Sequence, residues 1–255
     1  MTQQFPEIVI NGDQIDAKKC IEEGTSFAKF LATIIAVFST LLFIVVTYGG
    51  FLIVLLFYPI IAAIMRKKAL AMVHGSGIRV SDKQFPEIQK CLIKFKERLG
   101  ITDDVSVYIV EDNIANAFVV KYGKKNVVLL TDDIIHGCIA SGNPKALSFV
   151  IGHELGHIAL KHNGVLRSWL SKRFKKLSRL DEYSADAVGN ALVQDKTIAF
   201  NGLLLLTVGY SMMSYVNYET VIAQAQEVAS NKYSKKAEKS LTHPLLLNRL
   251  YRILR

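Results

Sequence analysis

The stretch IGHELGHIALKH, residues 151–162, decides how the rest of the chain is read. It contains His153-Glu154-x-x-His157. Residues four apart on a helix project from one face, so both imidazoles can meet a single metal ion. Glu154, one position after the first imidazole, can reach a water on that ion as general base. The remaining positions, Val150, Ile151, Leu155 and Ile158, are apolar, as a helix packed into a core requires. Random placement of the chain's 6 His and 11 Glu would produce the pattern roughly 0.006 times, so it is far above background. A catalytic zinc needs a third protein ligand and one open position. Downstream, Leu180 to Asp186 reads LDEYSAD, with Glu182 and Asp186 four apart on a second helical segment. One of them can ligate while the other accepts the distal N–H of a ligand histidine. Spacing by itself leaves Glu182, Asp186, Asp181 and His162 all open as third ligand.

Outward from this helix, Phe85 to Leu99 places Ile88, Leu92, Phe95 and Leu99 at helical spacing, and Gly100 ends it. Val105–Val110, Ala117–Lys121 and Asn126–Thr131 read as short strands, the last two joined by Tyr122-Gly123-Lys124-Lys125. From Asn143-Pro144 onward the pattern is helical, with Asn143 as N-cap and Pro144 at the first helical position. The expected fold class is α+β: a mainly helical zincin-type metalloprotease domain with a small β-sheet, residues 66–255. No internal repeat is found.

Ahead of that domain, Phe30 to Met65 is an uninterrupted uncharged stretch of 36 residues. As one helix it would measure about 54 Å, against a hydrocarbon core of about 30 Å. Two spans of about 17 residues fit, broken at Tyr48-Gly49-Gly50. A secretory signal peptide fits badly, because the polar leading residues include Asp13, Asp16, Glu22 and Glu23. The expected layout is an N-terminal segment 1–29, a transmembrane hairpin 30–65 and the domain 66–255. Lys18, Lys19 and Lys29 precede the run and Arg66-Lys67-Lys68 closes it. A hairpin puts both basic flanks on one side, the cytoplasmic one, so the chain is expected as a multi-pass protein of the inner or plasma membrane with its domain in the cytoplasm.

The chain has 255 residues, 51% of them hydrophobic, and a net charge of +9. That apolar fraction excludes a disordered chain. Cys20, Cys91 and Cys138 form no CxxC pair and indicate neither a disulfide framework nor a thiolate zinc site. No nucleic-acid motif accompanies the positive charge, and no nucleic-acid partner is expected. A second neutral stretch, Thr197 to Tyr218, is expected as a buried domain helix, since a crossing there would put His243 across the membrane from His153. Ser230 to Ser240, rich in Lys and Ser, is expected as a mobile loop.

Over roughly residues 66–255 the chain resembles the HtpX-like membrane zinc metalloproteases, relatives of the CAAX prenyl proteases. Four motifs carry the likeness: HELGH at 153–157, EYSAD at 182–186, Asn116-Ala117-Phe118, and Thr242-His243-Pro244 with Arg249. The resemblance implies one zinc ion per chain, with Glu182 as third ligand beside His153 and His157, and Asp186 orienting a ligand. It implies that Asn116, Ala117 and Phe118 border the cleft and align substrate backbone, that His243 stabilises the transition state, and that Arg249 supports the site. The chain departs from HtpX in one respect: there a second hydrophobic helix pair separates the zinc helix from the third ligand. Here only the 24 residues Ile158–Asp181 intervene, with Lys161, Arg167, Lys172, Arg173, Lys175, Lys176 and Arg179 among them. Leu166, Trp169, Leu170, Phe174 and Leu177 recur at helical spacing, so residues 165–179 read as a basic amphipathic helix suited to anionic lipid, or as a solvated lid.

The expected activity is zinc-dependent endoproteolysis of polypeptides, with damaged or unfolded membrane proteins as substrates on the strength of the resemblance. A zinc-stabilised membrane scaffold or chaperone-like binder is the rival from another class. It has no need of Glu154, since a structural site requires no general base. A prenyl-protein protease ranks lower, because two spans leave no intramembrane chamber for a lipidated substrate.

Overall fold

A computed structural model describes residues 5–112, 116–122 and 125–255. Gly123 and Lys124 of the expected strand connection lie outside the described residues. The chain opens with a short 3-10 turn at Ala17–Cys20, then α1 (Thr25–Val46) and α2 (Phe51–Ser76). Between them Tyr48 and Gly49 both adopt positive φ, 49° and 87°, and reverse the chain. α1 is long and apolar enough to cross a membrane. In α2 the run Phe51–Met65 is closed by Arg66-Lys67-Lys68, and the helix continues beyond the charges toward the domain.

Four strands form one sheet: β1 (Ile78–Arg79), β2 (Asp104–Val110), β3 (Ala117–Tyr122) and β4 (Lys125–Thr131), in the order β1-β2-β4-β3. β2 and β4 are parallel, and the other two pairings are antiparallel. β3 is therefore an edge strand. Alternation along the strands splits the sheet into two apolar faces. Val105, Val107, Ile109, Val128 and Leu130 enter the main core. Tyr108, Val127 and Leu129 face the other way and are covered by Leu70 and Val73 near the end of α2. The main core also takes Ile88, Cys91, Leu92 and Phe95 from α3 (Pro86–Arg98), and Ile8 and Ala17 from the segment before α1. That leading segment is held by Arg98, which donates to the carbonyls of Asp13, Ile10 and Leu192.

The metal-motif helix α5 spans Ala146–Ala159 and is buried on nearly every side. It starts later than its sequence suggests. Asn143 does not cap it; its side-chain oxygen accepts from Asn201 Nδ2 at 2.9 Å, and the first helical residue is Ala146. Between the sheet and α5 lies α4 (Asp132–Ala140), which the sequence reading left out. Its signal is local: Thr131 accepts from the Ile134 N–H at 3.4 Å, and Asp132 and Asp133 occupy the first turn.

The expected single amphipathic helix over 165–179 is two helices, α6 (Val165–Arg173) and α7 (Lys175–Val193), parted at Phe174. Its apolar stripe is covered in part, Leu166 remaining exposed. Leu170 and Leu177 are buried against Ala28, Ala32 and Ala36, a stripe of small residues one turn apart on α1 that admits close approach. Two of its basic side chains also turn inward: Arg167 pairs with Asp181, and Arg179 donates to the carbonyls of Lys239 and Leu241.

α8 (Lys196–Val208) buries Ala199 to Leu205 in the core, but the single buried helix expected over 197–218 is broken: Gly209 at φ 71° separates α8 from α9 (Tyr210–Met213), and Tyr210, Met212 and Tyr215 are exposed. α10 (Tyr218–Ser230) and α12 (Leu246–Leu254) close the domain, with α11 (Lys232–Glu238) between them. The expected loop over 230–240 is thus largely helical. Asn231 caps α11 by accepting from the Tyr233 and Ser234 N–H groups, and Glu238 at its end accepts from Tyr183 and Asn248. The Lys/Ser composition conceals a helix held at both ends. All three cysteines are free; Cys91 and Cys138 are buried in the apolar core, which pushes both thiols up.

Candidate metal centre

The centre depends on how closely α5 and α7 approach. Gly152 and Gly156 on α5 face Gly189 and Ala185 on α7. A Cβ built on Gly156 would lie 3.1 Å from Val188 Cβ and 3.2 Å from the Ala185 backbone; one on Gly189 would lie 3.1 Å from His153 N. Glycine and alanine at this seam let the two backbones pack where larger residues would hold them apart. Four-residue spacing within each helix keeps the seam on one stripe, and carries Glu182 and Asp186 to the level of His153 and His157.

The result is a three-membered cluster, His153, His157 and Glu182, whose ligand atoms all lie within 4.8 Å of one another. His153 Nε2 and His157 Nε2 are 3.2 Å apart. Glu182 Oε1 is 3.5 Å from His157 Nε2, and Oε2 is 3.7 Å from His153 Nε2. Donors about 2.0–2.1 Å from a tetrahedral ion are separated by about 3.3 Å, so the triangle fits a divalent metal of zinc's size. Two imidazoles and a carboxylate also match its donor preference. Of the four acids and histidines that spacing left open, Glu182 alone joins the pair.

The other three stand behind the cluster. Asp186 Oδ1 lies 2.9 Å from His153 Nδ1, and both its oxygens accept from Arg249 at 2.7 Å. Burial would push the Asp186 carboxyl up, but the Arg249 charge and hydrogen bonds outweigh it and hold Asp186 below the usual carboxylate range. His162 Nδ1 lies 3.1 Å from His157 Nδ1, and its Nε2 lies 3.4 Å from Asp181 Oδ1. Burial, with the charges of His157 and Arg167, drives His162 down to about 2, so it is neutral.

Glu154 is buried at 6% exposure, and that burial raises its pKa despite the two adjacent imidazoles. His243, from the turn before α12, is more than half exposed and brings Nδ1 to 3.3 Å from Glu182 Oε2. That bond to Glu182 raises the His243 pKa. For Glu182, burial acts upward, but bonds from His157 and His243 hold it well below the ordinary carboxylate value.

Cluster, Glu154 and His243 all line one cavity of about 560 Å³. Its opposite wall is the free edge of the sheet, with Asn116, Ala117 and Phe118. Asn116 anchors this edge: its N–H donates to Thr131 Oγ1 at 2.9 Å, and its side-chain oxygen accepts the Ala117 N–H at 2.9 Å. Phe118 is exposed toward the cavity. Ser168, Ser171 and Lys172 of α6 and Leu206 of α8 complete walls that sequence reasoning missed, since nothing in their local pattern points to a cleft.

Residues 82–172 match the model of peptidase family M48. The match includes the edge strand and the whole metal-motif helix, and ends ten residues before Glu182. No curated protein and no solved structure matches the chain.

Proposed function

On the match of residues 82–172 to the model of peptidase family M48, we propose that this chain is a member of that family and a membrane-anchored zinc endopeptidase acting on polypeptides, with damaged or unfolded membrane proteins as its substrates. One observation carries the reading. Two imidazole nitrogens 3.2 Å apart, with one Glu182 oxygen 3.5 Å from the first and the other 3.7 Å from the second, sit in an open cavity beside a buried glutamate that takes no part in the cluster. A site built only for structure closes its fourth position and has no use for a general base.

His153, His157 and Glu182 would hold the ion. Zinc bound there supplies a Lewis acid for the scissile carbonyl and makes an adjacent water easier to deprotonate. Glu154, its affinity for protons raised by burial, takes the proton of the attacking water and returns it to the leaving nitrogen. His243 reaches in from the solvent side and donates to the oxyanion as it develops. Arg249 neutralises Asp186, which accepts from His153 Nδ1 and fixes that ring. Substrate lies extended along Asn116, Ala117 and Phe118 as an added strand; its carbonyl displaces the Asn116 side chain from the Ala117 N–H.

The anchor in this reading is a hairpin, α1 and α2, with both basic flanks in the cytoplasm. Exposed Val165 and Leu166, with Lys172, Arg173, Lys175 and Lys176, are what α6 and the start of α7 offer to an anionic lipid surface. The test is proteolysis of unfolded casein by detergent-purified protein beside Glu154→Gln, with zinc quantified in both. Cleavage that is lost in a variant still holding about one zinc supports the reading. Equal activity in both sinks it, and zinc without cleavage in either favours the scaffold.

A further inference from the structure

The two imidazoles of the cluster are backed by different chemistry. His153 has a carboxylate behind it, the common arrangement for a metal-binding histidine. His157 has a second imidazole. His162 Nδ1 stands 3.1 Å from His157 Nδ1, at the centre of a buried chain that continues to Asp181. His162 comes to this place because α5 ends at Ala159, and Lys161, at φ 59°, turns the backbone so that the next side chain folds back beneath the helix.

Two ring nitrogens this close need one donor and one acceptor between them. His157 Nε2 points into the cluster, so its Nδ1 must carry the proton if Nε2 is to offer a lone pair to a metal. His162 Nδ1 is then the acceptor, and the His162 proton resides on Nε2, facing Asp181 Oδ1 at 3.4 Å. Asp181 is itself fixed from α6, whose Arg167 donates through two nitrogens and whose Ser171 donates at 2.7 Å. Every member has a partner of the required polarity, and the pattern reverses only if all its protons shift together.

We infer that His162 is a positioning residue: held by Asp181, it keeps the proton of His157 on Nδ1 and thereby commits Nε2 to the metal. The inference rests on the metal-site reading above. It also gives α6 a role, since the helix that packs on α1 through Leu170 supplies the two groups that pin Asp181.

The test compares zinc affinity, by chelator competition on the full-length protein in nanodiscs, for wild type, His162→Phe and His162→Asn. The asparagine Oδ1 occupies the place of the imidazole Nδ1 and can still accept from His157; phenylalanine cannot. Loss of the partner should weaken zinc binding about 10–100-fold in the phenylalanine variant, with asparagine recovering to within about threefold of wild type. A residue that serves only packing would lower the melting temperature of the zinc-free protein without separating the two variants in affinity. A phenylalanine variant within about threefold of wild type, or an asparagine variant as weak as phenylalanine, overturns the inference while leaving the metal site intact. Wild type that binds no zinc overturns the metal site itself. Should the variants fail to fold, ¹⁵N-histidine spectra of zinc-loaded wild type decide the matter: a proton on His157 Nδ1 and on His162 Nε2 is expected, and a proton on His162 Nδ1 refutes it.

Discussion

The two sides of the candidate metal centre solve the same problem with different materials. Behind His153 lies a buried ion pair: Asp186, 4% exposed, clamped through both oxygens by Arg249 from α12. Behind His157 lies a neutral ring, and the charge is one residue further back, in Asp181, shared among His162, Arg167 and Ser171. The first side joins α5, α7 and the last helix of the domain. The second joins α5, α7 and α6, and through α6 the helix long enough to cross a membrane. One imidazole is therefore tied to the body of the fold and the other, through α6, to the long apolar helix α1. Proteins that bury a charge must pair it.

The sharpest way to break this contrast is Asp186→Asn. It leaves the buried Arg249 guanidinium only the more distant Glu182 carboxylate, 3.8 Å away, and the expected loss is about 3–5 kcal/mol of stability. In a domain of this size that means a fall in melting temperature of about 2–4 °C per kcal/mol. Zinc affinity should fall with it. Asp181→Asn should destabilise less, about 1.5–3 kcal/mol, because Arg167 is more exposed than Arg249 and can turn toward water. If thermal melts show the two variants equally damaged, the two sides are energetically alike and the contrast fails.

Gly189→Val probes what both sides share. A side chain there meets His153 N and the Phe149 ring at 3.1 Å, so the seam must open. The expected destabilisation is about 1–3 kcal/mol, with weakened zinc binding although no ligand is touched. Unchanged affinity would mean the helix spacing does not set the triangle. The smallest effect is expected for Ser171→Ala, about 1 kcal/mol for one hydrogen bond to Asp181. Hydrogen exchange at α6 is the measurement, and faster exchange there without change in α12 would separate the two sides most finely.

α1 and α2 show where reading the chain residue by residue stops. Both helices are apolar, and their turn at Tyr48-Gly49 is plain from the glycines. Yet α1 buries Ala28, Ala32 and Ala36 against α6 and α7, whereas no residue of α2 is buried. The alanine stripe is visible in the sequence; the partner that makes it an interface is not. For the same reason residues 165–179 read as an amphipathic surface when Leu170 and Leu177 were already covered. Helix α4 and the short α11 escaped because nine and seven residues hold too little periodicity to register, although the caps at Thr131 and Asn231 were there to be read.

What the sequence determined alone is whatever one element contains. His153, Glu154 and His157 are presented together by a single helix, because 3.6 residues per turn is a local property that no tertiary context is needed to impose. The strands, the uncharged run and its glycine break are local in the same sense. The tertiary structure decided which acid completes the triangle and which group stands behind each imidazole. Glu182, Asp186, Asp181 and His162 are chemically interchangeable candidates on paper. The family resemblance singled out Glu182; physically they are told apart by distance across the glycine seam between α5 and α7, and that distance is set by how closely two backbones can pack.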